Sequence, residues 1–115
     1  MSVTKTTSII FGLNVSELDF LKLDENELFE KYNVHNGINE YVYLSGDGDD
    51  YFGIPIDIAQ EGSYDISHLE TWTFEAILNS VTEQERIDFE SFVQEQFSEP
   101  EGGYKIDFMI TVTYS

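Results

Sequence analysis

Apolar and polar residues alternate in some stretches of this chain and recur with helical spacing in others. In residues 3–15, Val3, Lys5, Thr7, Ile9, Phe11, Leu13 and Val15 fall on one face of a strand. Thr4, Thr6, Ser8, Ile10, Gly12 and Asn14 fall on the other. The odd-numbered face turns apolar from Ile9 onward and is expected to point at a core. Residues 16–33 read as two short helical turns. Ser16 with Asp19 is a weak N-terminal signal, and Asp24 with Glu27 a stronger one. Leu28, Phe29 and Tyr32 sit at helical spacing, and Asn33 with the Asn36-Gly37 pair closes the segment.

A β-hairpin is expected over residues 39–45 and 51–58. Val42 and Leu44 alternate with Tyr41 and Tyr43 in the first strand. Phe52, Ile54, Ile56 and Ile58 alternate with Tyr51, Gly53, Pro55 and Asp57 in the second. This pattern places Tyr41, Tyr43 and Tyr51 opposite a Val42/Phe52 core face. The connector Gly46-Asp47-Gly48-Asp49-Asp50 has turn-forming composition. Pro55 cannot donate to a ladder, which predicts an edge position for its strand.

Residues 67–81 carry both patterns. Leu69, Trp72, Ala76 and Val81 approximate a helical stripe, while Trp72, Phe74 and Ala76 also alternate with Thr71, Thr73 and Glu75. The Ser67/Glu70 pair favours helix. Residues 82–97 are the clearest helix, with a Thr82/Glu85 capping box and an apolar stripe of Phe89, Phe92, Val93 and Phe97. Residues 104–114 form a final strand with Ile106, Phe108, Ile110, Val112 and Tyr114 on one face. The order is β-α-β-β-α-α-β. It predicts a two-layer α+β single domain, residues 1–115, with a mainly antiparallel four-stranded sheet and helices covering one face. Ile9, Phe11, Leu13, Phe52, Ile54, Ile56, Ile106, Phe108, Ile110, Phe89, Phe92 and Val93 are expected to share its core. The opposite sheet face, rich in Thr and Tyr, is expected to be open.

Charge changes this picture. Among 115 residues there are 23 Asp and Glu against 5 Lys and Arg, a formal net charge of −18. Direct binding to nucleic acid or to anionic membranes is then disfavoured by repulsion. The four expected strands hold only Glu40, Asp57 and Asp107 of these 23 acids. The negative charge therefore belongs to helices and connections. On the last helix, Glu83, Asp88, Glu90 and Glu95 lie away from the Phe89/Phe92/Val93 side. Carboxylates on a rigid helix can imitate a row of phosphates, because residues a turn apart are about 5–6 Å apart. A solvated acidic face is the plain alternative, but net charges of roughly 2–8 suffice for solubility in small domains. Haloadaptation fits poorly with the abundance of Phe, Ile and Tyr.

Candidate chemistry is sparse. No cysteine is present, which excludes disulfides, thiolate metal sites and cysteine nucleophiles. Counted from Asp47, an EF-hand loop would need a glycine where Phe52 stands and a glutamate where Ile58 stands, so the match fails. His35 and His68 are the only histidines and read as surface residues. A Ser-His-Asp set drawn from Ser63 or Ser67, His68 and Asp65 is too local in sequence for triad geometry. No phosphate-binding glycine motif occurs, and the Asn14-Val15-Ser16 sequon has no secretory signal before it. No apolar run is long enough to span a bilayer. The chain is expected to be a non-enzyme without metal or cofactor, soluble in the cytoplasm. Tyr41 and Tyr43, with nearby acids, suit a protein–protein interface, although cross-strand pairing uses the same residues.

In size, acidity and lack of both cysteine and catalytic signature, the chain resembles small inhibitors carried by bacteriophages, among them anti-restriction and anti-CRISPR proteins. The likeness includes no motif and assigns no residue roles. It implies a non-catalytic nucleic-acid mimic acting in the host cytoplasm, occupying a basic nucleic-acid-binding surface of a nuclease or other DNA or RNA enzyme. The expected contact residues are Asp47, Asp49, Asp50, Glu83, Asp88, Glu90, Glu95, Tyr41 and Tyr43. An immunity protein for a basic nuclease toxin, or a small structural protein, are the competing expectations.

Overall fold

The computed structural model describes residues 5–33, 40–46, 48–60 and 72–114. Strand β1 (Lys5–Asn14) is followed by helix α1 (Glu25–Tyr32), strands β2 (Val42–Gly46) and β3 (Asp49–Gln60), helices α2 (Phe74–Asn79) and α3 (Glu83–Gln96), and strand β4 (Asp107–Tyr114). All pairings are antiparallel and the sheet order is β2-β3-β1-β4. This is the expected α+β architecture in the expected element order.

Capping chemistry fixes the helix starts. Asp24 accepts from the Glu27 backbone N–H at 2.8 Å and opens α1. Thr82 and Glu85 exchange side-chain-to-backbone bonds at 3.1 and 3.0 Å, a complete capping box that opens α3. Ser16 behaves differently from expectation. Its hydroxyl accepts from the Asp50 backbone N–H at 2.7 Å, so it ties the chain to β3 and starts no helix. The segment after it is instead strapped along the end of α3. Leu21 N–H donates to Gln96 O at 2.8 Å, Ser98 N–H to Asp19 O at 2.9 Å, and Gln96 Nε2 to Leu23 O at 3.1 Å.

One core lies between the helices and one sheet face. Phe11, Leu13, Val15, Leu28, Tyr43, Phe52, Ile54, Phe89, Val93 and Phe97 are buried there. Ile56, Phe92, Ile106 and Phe108 are half-buried against them. Tyr43 lies opposite Phe52 and Val42 opposite Gly53. Tyr43 thus shares the core face with Phe52, and Val42 lies on the other face, one residue out of step with the expected grouping. Tyr41 also packs into the core, 5.3 Å from Phe89 and 5.0 Å from Phe92 between ring centroids.

The register between β1 and β3 shifts between Ile9 and Ile10. Ile9 faces Asp57 and Ile10 faces Pro55, leaving Ile56 as an extra residue. This irregularity explains two departures from expectation. Pro55 lies on a strand interior to the sheet order, but beside this irregularity and beyond Gly53, where the pairing with β2 ends, so an edge-like position suits its missing N–H. Ile58 changes face, joining Ile10, Val42, Leu44, Tyr51 and Met109 in a second apolar cluster. The sheet face expected to be open is closed as well: the edge strands β2 and β4 come into contact, Met109 packs with Val42, Leu44 and Ile10, and Thr6, Ser8, Thr111 and Thr113 are buried on the same face. Ile110, an expected core residue, is 68% exposed, and none of the described helices packs its buried residues against it. Of the expected 67–81 helix, residues 74–79 are helical. Ser67, His68 and Glu70 lie outside the described residues, as do Ser63, Asp65, His35 and the Asn36-Gly37 pair.

Phe89 is fully buried and Phe92 only half-buried. Phe89→Ala is expected to cost about 3–5 kcal/mol and Phe92→Ala distinctly less. Urea unfolding of both variants checks this. Equal losses would mean that α3 is rotated from the orientation described.

Candidate functional site

The acidic residues form two groups with different local roles. At the hairpin, strand pairing runs to the turn itself: Gly46 lies opposite Asp49, and Ser45 opposite Asp50. Gly48 takes φ +99°, a left-handed conformation suited to glycine in a two-residue turn. Asp49 and Asp50 are thus held on a paired strand and not on an adjustable loop, and Asp47 lies outside the described residues. Both are also engaged. Asp49 accepts from Asn14 Nδ2 at 3.2 Å, and Asp50 accepts from the Tyr43 hydroxyl at 2.9 Å. Asp49 borders a cleft of about 900 Å³ whose walls include Asn14, Glu17, Glu101, Tyr104 and Lys105. Among the described residues, no group of three or more His, Cys, Asp or Glu is placed to hold a metal ion.

The second group lies on α3, where Glu83, Asp88, Glu90 and Glu95 are all exposed. Turning about 100° per residue, Glu83 and Glu90 share one flank and Asp88 and Glu95 the other, roughly 140° apart. Each pair is seven residues apart, a rise of about 10.5 Å. Three steps along one DNA strand rise about 10 Å. The outermost strip between the flanks is neutral: Gln84, Ile87, Ser91 and Gln94, all exposed. The four carboxylates are thus two spaced pairs and not a single row. Glu83 and Glu90 have no partner among the described residues. Asp88 accepts from Gln84 Nε2 at 2.9 Å. Glu95 pairs with Lys22 at 3.4 Å, with both side chains 65% exposed. An ion pair so exposed adds little stability.

The two expected tyrosines differ in exposure: Tyr43 is buried and Tyr41 partly buried against the core. Tyr43 is 1% exposed. Burial pushes its hydroxyl well above the ordinary tyrosine range, and the bond it donates to Asp50 and the charges of Asp50 and Glu25 push the same way. Tyr41 is raised by burial first, then by the negative charges of Glu40 and Asp88. Tyr43 therefore belongs to the core, and Tyr41, just before β2, is partly buried against Phe89 and Phe92 of α3. Sequence reasoning missed the neutral strip around Ile87. The wheel carries that signal once the outward positions are read as well as the acids.

No family model matches the chain, and comparison with curated proteins and with solved structures finds no match.

The Tyr43 hydroxyl has a measurable consequence. An unfolded tyrosine loses its proton near pH 10, whereas the fold holds this one beyond that. Above about pH 10 the folded state binds the extra proton, so stability falls as pH rises, by up to about 1.4 kcal/mol per pH unit for this group. Tyr43→Phe is expected to be less stable at pH 7, where Asp50 loses its donor, yet to lose less on going to pH 11. Urea midpoints at the two pH values check it. An alkaline loss as steep as that of the parent chain would assign the effect to other tyrosines.

Proposed function

We propose that this protein is a non-catalytic acidic inhibitor that occupies a basic, nucleic-acid-binding surface of another protein, in the place of DNA or RNA. The observation that carries this reading is the two flanks of exposed carboxylates on α3, the acids of each flank about 10.5 Å apart along a helix that is capped at its start and strapped at its end. A formal charge of −18 adds a long-range field that speeds encounter with a basic cleft. A flexible acidic tail would lose part of its binding energy to ordering, whereas a helix docked on an aromatic core is already ordered. The partner is a basic nuclease or other nucleic-acid enzyme. The reaction chemistry is the partner's, and a phage-encoded protein of this kind would act in the host cytoplasm.

The hairpin acids contribute differently. Asp50 is committed to Tyr43, so its neutralisation would disturb the core. Asp49 is the first paired residue after the turn and contributes field rather than phosphate-like spacing.

Duplex DNA and this protein are expected to displace each other from the partner. The combined Glu83→Gln, Asp88→Asn, Glu90→Gln and Glu95→Gln variant is expected to dissociate at least about tenfold faster, with its fold intact. Asp49→Asn is expected to slow association modestly and leave dissociation unchanged. Surface plasmon resonance on a partner captured from host lysate reads both rates. If saturating DNA leaves the complex intact, or the helix variant dissociates at the parent rate, the mimicry reading fails.

A further inference from the structure

Helix α2 is largely apolar but buries none of its residues. Phe74, at its first position, is 77% exposed, and Leu78, one turn on and on the same side, is 39% exposed. A helix of six residues is too short to be stable alone and normally draws its stability from a packed apolar face. The neighbouring sheet surface is uncovered too. On the helix side of β4, Ile110 is 68% exposed and Val112 46%. Trp72, two residues before α2, anchors the helix there by donating to Asp57 at 2.7 Å. Asp57 lies opposite Ile9, and Ile9 opposite Ile110, so the anchor of α2 is about two strand spacings, roughly 10 Å, from Ile110. Helix and strand together form one exposed apolar patch.

Charge narrows the occupant. The three segments that build the patch, residues 5–13, 72–82 and 108–114, contain one base, Lys5, and one acid, Glu75. The carboxylate of Asp57 beside them is engaged by Trp72. Lys5 lies opposite Tyr114, one same-face row beyond Thr7 and Val112, and Glu75 follows Phe74 on α2. The base thus stands on the sheet part of the patch and the acid on its helical part, an arrangement that is self-complementary about a two-fold axis. A basic partner is drawn to acids, and this surface offers one. A second copy of a chain of charge −18 approaches closely only where acids are sparse. We propose that two copies of this chain associate through the patch about a two-fold axis. Phe74 and Leu78 of each copy pack on Ile110 and Val112 of the other, and Glu75 of each meets Lys5 of the other. Charge outside the patch opposes the dimer and is screened by salt. The inference goes beyond the nucleic-acid reading and uses no residue of α3.

Sedimentation velocity of the full chain over a concentration series tests it. A reversible dimer is expected, tightening several-fold between about 0.05 and 0.5 M NaCl, the opposite of the salt response of a nucleic-acid mimic on a basic target. Ile110→Lys with Val112→Lys should leave only monomer. Two milder variants guard against misfolding: Ile110→Thr with Val112→Thr, which keeps strand propensity, and Phe74→Glu, which suits the first turn of a helix. Each should weaken the dimer at least about tenfold while keeping the circular dichroism of the parent. Lys5→Glu and Glu75→Lys should each weaken it. The two combined keep the net charge of −18 and should recover most of the loss. A chain that stays monomeric at every concentration and salt would overturn the proposal. So would a dimer that weakens as salt rises, one untouched by the apolar variants, or a charge exchange no better than its single changes. A monomer whose lysine variant no longer competes with DNA for the nucleic-acid enzyme would overturn it as well, since that enzyme would then be the occupant. The DNA competition assigned to α3 involves none of these residues, so failure of either idea leaves the other's result intact.

Discussion

The ring of Phe52 sits where every layer of this molecule meets. It is fully buried. It lies 5.5 Å from Tyr32 on α1, 5.6 and 6.4 Å from Tyr41 and Tyr43 at the start of the hairpin, and 5.8, 5.6 and 5.9 Å from Phe89, Phe92 and Phe97 on or just beyond α3. Aromatic pairs at such distances add roughly 0.5–1.5 kcal/mol each beyond the area they bury. Both α1 and α3 meet the sheet through this ring. The placement of α3, and with it the spacing and direction of its carboxylates, follows from aromatic packing beneath it.

That dependence matters because the surface opposes the fold. A strongly one-signed charge repels itself in the compact state. The fold answers by sorting its acids. Those near the sheet are used as acceptors: Asp50 for Tyr43 and for nothing beyond the core edge, Asp49 for Asn14, and Asp57 for Trp72. Those on α3 are held outward, at two angles rather than one, which spaces like charges and leaves a neutral strip between them. The arrangement reduces repulsion within the helix while keeping the outward field.

Much of the architecture was legible from periodicity and caps. Thr82/Glu85 and Asp24/Glu27 mark true helix starts, and the alternation in residues 5–14 and 107–114 marks true strands. What escaped was the assignment of faces. Alternation says which residues share a face and not which face is covered, and here apolar residues line both. In the hairpin, Val42 and Tyr43 are equally plausible inward residues until pairing with Gly53 and Phe52 decides between them. A single extra residue at Ile56 then reverses the phase for Ile58. The carboxylates of α3 were recognisable as outward, but their division into flanks needed the full wheel. The commitment of Asp50 to Tyr43 joins residues whose spacing has no local signature.

β1 pairs on one side with β3 and on the other with β4, so Lys5 meets Tyr114 across nearly the whole chain. Closing a loop of that length precedes any gain from the pairing, and sheets dominated by such distant contacts assemble slowly. Until β4 arrives, β1 presents an unpaired edge of buried-type residues, including Ile9, Ile10, Phe11 and Leu13. Slow folding with an apolar edge exposed is the usual route to aggregation. Mutual repulsion between chains of charge −18 keeps such intermediates apart in solution. The acidity thus also acts in time: it protects the nascent chain during the interval in which its central strand waits for its last neighbour.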